Sequence, residues 1–175
     1  MRDDPAYSLE SVDNTNAYDR EYLFAEEDSY LSSKHGIFVT SPKGESYSCI
    51  LLAGGGASSV HEHSALIHEH SCIVAVGCYM CSLSIPALEL GWQTQTDWAT
   101  CFGVYHSPKY SCYISHGELE IARVSYSGEV EWRASGKDIF TNGFTLHEDY
   151  IEAVDFNDER YRIEIETGLC KIYEV

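Results

Sequence analysis

The sequence predicts an all-β fold assembled from repeats of about 40 residues, each a four-stranded antiparallel meander. Three observations carry this expectation. First, Cys112–Trp132 (CYISHGELEIARVSYSGEVEW) lies without a gap on Cys72–Trp92 when moved back by 40 positions, and on Glu152–Ile172 when moved forward by 40. That register pairs Cys72 with Cys112, Gly77 with Gly117 and Asn157, Gly128 with Gly168, and Trp92 with Trp132 and Ile172. Second, the apolar runs are short and rich in β-branched and aromatic residues, as in CIVAVG and YIEAVDF, and turn formers interrupt them every few residues. Third, capped helical patterns are absent, and only Pro5 to Asp13 offers a short helical turn.

Taken in order, residues 1–17 are polar and acidic without apolar periodicity, so they are expected to form a flexible arm. A degenerate first unit spans about 18–56, with the bursts EYLFAE, GIFVTS and SYSCILLAG and a hairpin turn at Pro42 to Gly44. The glycine cluster GGGASS, Gly54 to Ser59, lacks the Lys-Ser/Thr successor of a phosphate loop and reads as a connection between units. Three clear units follow at 57–96, 97–136 and 137–175. In the middle unit the expected strands are Ala99–His106, Ser111–Ser115, Glu118–Ser125 and Glu129–Ala134, with turns at Pro108-Lys109, His116-Gly117 and Ser127-Gly128. Gly77, Gly117 and Asn157 are expected to supply a positive φ at one hairpin. The units together form a single domain, 18–175, closing as a small propeller-like ring or packing as a barrel-like or stacked array. An open array would expose its end strands, so the chain is expected as a monomer or a homodimer.

The ends of the units resemble the tryptophan-docking motif of quinoprotein-type β-propellers, A-x-D-x-x-T-G-x-x-x-W. Ala122, Val124, Ser127, Gly128 and Trp132 stand at its spacings; so do Glu164, Thr167, Gly168 and Ile172, and Ser82, Ser84 and Trp92. The resemblance covers about 21 residues of each of three units and implies propeller blades. It carries no cofactor residue over, because the chain encodes too few blades to build a quinone and calcium site.

The net charge is −17, with nine acids against two bases in residues 1–30 and ten against three in residues 138–175. Such a field excludes phosphate-binding footprints, hence nucleic acid, and repels anionic membrane. It suits a basic protein as partner, and equally it maintains solubility. No segment approaches 18 continuous apolar residues, so no transmembrane helix is expected. The start, MRDDPAYSLE, carries no apolar run, so no secretory leader is expected and the cytoplasm is the expected compartment. The seven cysteines then read as reduced thiols packed like small hydrophobes.

The most conspicuous chemistry is HEHSALIHEH, His61 to His70. His61 and His63 are the candidate ligands for a divalent transition metal, since alternate residues of a strand share a face. His68, Glu69 and His70 are the secondary candidates; they fall in the opposite phase, and the repeat register places His68-Glu69 in a hairpin turn. The stretch also resembles the first cupin motif through Gly56, His61, His63, Glu69 and Gly77, with spacings off by one or two and no second motif. Cys78 and Cys81 form one C-x-x-C without a second pair and read as core thiols. No nucleophile or acid-base pair can be nominated, and no cofactor beyond that metal is expected. The expected function is therefore a protein-binding module, in the manner of an inhibitor or immunity-type partner of a basic protein. The alternatives are a metal-dependent protein centred on His61 and His63, and a structural or small-molecule-binding propeller.

Overall fold

A computed structural model describes residues 6–11, 17–25 and 30–173, which form four sheets of four strands each. The second sheet comprises β5 (Ala65–His68), β6 (Ser71–Val76), β7 (Tyr79–Ser84) and β8 (Leu90–Gln95). The third comprises β9 (Cys101–Ser107), β10 (Cys112–Gly117), β11 (Glu120–Ser125) and β12 (Val130–Ser135). The fourth comprises β13 (Gly143–Leu146), β14 (Tyr150–Val154), β15 (Arg160–Glu164) and β16 (Cys170–Ile172). All three are antiparallel meanders with strands paired in chain order, as the 40-residue register predicts. The only helical turn among the described residues is a 3₁₀ turn at Pro108–Tyr110, closed by Ser111 in the left-handed region.

The first sheet departs from the meander. Its strands are β1 (Ala6–Ser11), β2 (Arg20–Phe24), β3 (Ser33–Thr40) and β4 (Ser46–Ala53), in the order β1-β3-β4-β2. β3 and β4 are the hairpin expected around Pro42 to Gly44, and Gly44 has a φ of +83°. β2, however, precedes that hairpin in the chain and lies parallel to β4. β1 pairs with β3 from Ala6–Thr40 to Ser11–His35, so the expected arm contributes a strand, and the helical turn expected at Pro5 to Asp13 is replaced by it. The remainder of that arm, 1–5 and 12–16, lies outside the described residues.

An aromatic residue on the outermost strand of each of the first three sheets docks on the next. The indole N–H of Trp92 on β8 donates to the Tyr126 carbonyl at 3.0 Å, and that of Trp132 on β12 donates to the Ile165 carbonyl at 3.0 Å. In the first sheet Tyr22 on β2 takes this place, its hydroxyl donating to the Leu88 carbonyl at 2.8 Å and accepting from the Leu90 amide. The receiving turns hold Leu88, Gly128 and Gly168, spaced by 40 and all at positive φ. A Cβ on Gly128 would stand 2.6 Å from Trp92 Cδ2, so glycine is needed there for approach as well as for backbone conformation.

Three buried clusters fill the spaces between consecutive sheets. Ile37, Leu51, Val74 and Leu83 lie between the first and second, Ile73, Met80, Val104 and Val124 between the second and third, and Ile114, Ile121, Ile151 and Ile163 between the third and fourth. None of these clusters joins the fourth sheet to the first. The outward face of β15 carries exposed Arg160, Arg162 and Glu164, with Arg162 stacked 3.6 Å over the Tyr150 ring. The outward face of β3 is covered by Tyr18, which packs on Phe38 and over Gly36. Among the described residues the sheets thus form an open array with a polar face at one end and a chain-covered face at the other, as stacked repeats require.

The thiols sit in these cores. All seven cysteines are thiols rather than disulfides, and burial pushes Cys49 and Cys72 up to about 12 and Cys101 up to about 11. Cys81 of the C-x-x-C lies fully buried in the first cluster, raised by burial and by neighbouring Cys72 and Cys49. Such groups stay protonated at neutral pH and pack as small hydrophobes.

Candidate functional site

The meander sets two rims. Turns between second and third strands share one end of each sheet with the incoming and outgoing chain; the remaining turns lie at the other end.

His61 and His63 sit in the turn leading into β5. The Ser64 hydroxyl accepts the His61 amide at 2.9 Å, and the His63 carbonyl accepts the Val104 amide at 2.9 Å. Gly103 permits this approach, since a Cβ there would stand 3.0 Å from His63 Cβ. The two imidazoles do not present a shared pair of free nitrogens. His61 Nε2–H donates to the Phe102 carbonyl at 2.6 Å, and its Nδ1 accepts the His63 amide at 3.2 Å. His63 Nε2 faces Glu62 at 3.3 Å.

Their neighbours are not the histidines that the sequence places beside them. His35 on β3, fully buried, reaches the Ser58 carbonyl at 3.3 Å and lies near His61. His116 on β10 has its Nε2 3.2 Å from the Phe140 carbonyl, and burial pushes it down to about 4, so it is neutral at physiological pH. His68 instead joins a separate cluster: its ring lies 4.2 Å from His106 and its Nδ1 is 2.7 Å from the Tyr113 hydroxyl, with His106 Nε2 2.8 Å from the Tyr126 hydroxyl. The turn expected at His68-Glu69 lies one residue later, at exposed Glu69 and His70 with Glu69 at φ +53°, because His68 still pairs as the last residue of β5. Among the described residues no group of three or more His, Cys, Asp or Glu side chains stands in an arrangement that holds a metal ion.

Around His61 and His63 the structure builds a cleft of about 490 Å³. Its walls are a nearly continuous run of rings. His63 lies 4.5 Å from Tyr105, Tyr105 lies 4.5 Å from Phe144, Phe144 stacks on His116 at 4.4 Å, and His116 meets Phe102 edge-on at 5.4 Å. Phe102 returns to His61 through its carbonyl. Ala57 to Ser59 and the Phe140-Thr141 segment complete the lining, which includes no Asp, Glu, Lys or Arg. The sequence register could have pointed here: Phe102, Tyr105 and Phe144 occupy the first strands of successive units.

The second feature is the rim holding the turns between second and third strands. Asp97, buried, accepts the amides of Ala99 at 2.6 Å, Leu119 at 2.9 Å and Glu120 at 2.8 Å. Gly117 is needed for that contact, because a Cβ would fall 2.2 Å from Asp97 Oδ2; its φ is not positive, contrary to expectation. In the fourth sheet the positive φ falls on Asp158 rather than Asn157, and buried Asp155 accepts the amides of Asn157 and Glu159 and the Tyr161 hydroxyl. These buried carboxylates hold the turns so that Trp98 is left 69% exposed, Phe156 62% and Leu119 38%. Trp98, Leu119 and Ile139 border a depression of about 420 Å³ with Glu120, Lys137 and Asp138, and the Phe156 amide bonds the Ile139 carbonyl beside it. Lys137 is paired with Glu159 at 2.8 Å and Arg133 with Glu120 at 3.2 Å. Glu118, Asp138 and Asp158 have no cation partner among the described residues, so the rim is net negative.

No protein-family model matches the chain, and no curated protein matches it. Solved structures do. The computationally designed Ika4 protein aligns over 69% of this chain and 80% of its own, at 10% identity and a TM-score of 0.52. BamB from Moraxella catarrhalis aligns over 86% of this chain and 48% of its own, at 14% identity and a TM-score of 0.55. The AfRom2 CNH domain aligns over 84% and 48%, at 14% identity and a TM-score of 0.53. The chain therefore spans about half the length of the last two, and likeness at this identity speaks for the fold alone. No helix among the described residues is long and apolar enough to cross a membrane. The chain is an all-β array of four propeller-type blades, three of them meanders in chain order, joined by docking aromatics.

Proposed function

We propose that the chain is a protein-binding module that docks a basic protein on the rim around Trp98, Leu119 and Phe156. The observation that supports this reading most is the pair of large aromatics left exposed on fixed turns beside a depression, within a negative field. Exposed aromatic anchors on rigid supports are what interfaces use for energy, and uncompensated carboxylates supply charge complementarity. An inhibitor or immunity-type role towards a basic effector in the cytoplasm is the finer form of the proposal. A metal centre on His61 and His63 would require His61 to give up one of its two hydrogen bonds and His63 to turn from Glu62, and so is the weaker reading.

The experiment is capture of the partner by tagged wild-type chain, followed by titration with the purified partner. Trp98→Ala and Phe156→Ala should each weaken binding by about tenfold or more, and affinity should fall as salt rises. Equal affinity for the wild type and both variants, or affinity indifferent to salt, would overturn the proposal.

A further inference from the structure

The aromatic cleft adjoins the rim at Ile139-Phe140 but shares none of the residues of its depression, so it asks for a separate account. Its volume of about 490 Å³ is within the usual range for a small-molecule site. We propose that this cleft binds a small, uncharged, planar ring compound, of the size and shape of an indole or a nucleobase, packed against the rings of Tyr105, Phe144 and His116.

Three observations support that class of ligand. The walls are rings at 4.4 to 4.5 Å from one another, the spacing at which offset and tilted aromatic contacts are favourable, and a flat guest extends the same packing. No charged side chain lines the cleft, so a charged guest would lose its hydration without a counter-ion. The Tyr105 hydroxyl and the His116 imidazole are suited to single hydrogen bonds. Burial raises the Tyr105 hydroxyl to about 12, and no hydrogen bond of the described residues uses it. His116, with Nε2–H given to the Phe140 carbonyl, keeps a lone pair on Nδ1. Glu62 lies outside the lining and pairs with His63, and its charge, second to burial, helps to raise the Tyr105 hydroxyl.

The test uses three probes of matched shape on the full chain: indole, its cationic analogue tryptamine, and its anionic analogue indole-3-acetate. Binding is read by saturation-transfer NMR and by thermal shift. Indole should bind with a Kd below about 1 mM and each charged analogue about fivefold or more weaker. Phe144→Leu should weaken indole by about fivefold or more through lost ring contact. Tyr105→Phe, which retains the ring, should weaken indole by about threefold or more and leave N-methylindole unchanged, because only the former can donate to the hydroxyl. Trp98→Ala should leave indole binding intact, which separates this site from the rim. No indole binding at about 5 mM, equal binding of the charged analogues, or indifference to both cleft variants would overturn the proposal.

Discussion

Trp132 lies flat on Gly168 of the following sheet: a Cβ at position 168 would stand 2.8 Å from the indole Cδ2, and the indole N–H is spent on the Ile165 carbonyl. The same relationship joins Trp92 to Gly128, and Tyr22 reaches the turn at Leu88. In the fourth sheet Ile172 stands in this position, 45% exposed, and among the described residues no turn of another sheet receives it. Trp132→Ala should therefore destabilise the chain by about 2–4 kcal/mol through lost burial and an unfilled groove, whereas Ile172→Ala should cost less than about 0.5 kcal/mol. Urea unfolding of both variants checks the contrast.

Gly168 and Gly128 bear the second half of that contact. Replacing either by Ala sets a Cβ into an indole and holds a non-glycine residue at positive φ, so each should cost about 2–4 kcal/mol. Gly44, at φ +83° with nothing within 4 Å, is the control. Gly44→Ala should cost only the backbone share, about 1 kcal/mol. Thermal unfolding of the three variants provides the comparison.

His116 makes stability depend on pH. Burial lowers it from 6.5 to about 4, so between those values the unfolded chain binds a proton that the folded chain does not. Stability then rises with pH across that window, is complete above about 6.5, and is lost as pH falls towards 4, by about 3 kcal/mol at most. His35, also lowered chiefly by burial, acts in the same direction. His116→Gln should flatten the slope of unfolding free energy between pH 6.5 and 4, measured by urea titration at each pH.

The end faces set the assembly state. Exposed Arg160, Arg162 and Glu164 on the last sheet oppose stacking of a second copy, and Tyr18 covers the first sheet. Sedimentation equilibrium at micromolar concentration should give the monomer mass of 19.7 kDa; a dimer would show that one of these faces accepts a second copy.

The repeat register made much of the fold legible. It located twelve strands, the docking tryptophans and, one residue early, the exposed turn after β5, because identical packing demands recur every 40 residues. It did not reveal the first sheet, where Tyr22 stands in for tryptophan on a strand that runs parallel to its neighbour and precedes the hairpin in the chain. Such an exchange preserves the packing while erasing the spacing. The site was harder. His61 and His63 were visible as a motif, but their spatial neighbours, His35 and His116, lie 26 and 53 positions from His61 and His63 respectively. Gly117 looked like a turn glycine, and its need comes from Asp97, a contact between sheet and incoming chain that no local pattern carries.

The rim is the centre of the functional account, and hydrogen exchange on the complex with the captured partner tests it most directly. The account predicts slowed exchange at amides of 97–99, 118–120, 137–140 and 156–159, with the turns at the other end, 85–89, 126–128 and 165–168, unchanged. Protection confined to those opposite turns, or no protection around Trp98 and Phe156, would contradict it.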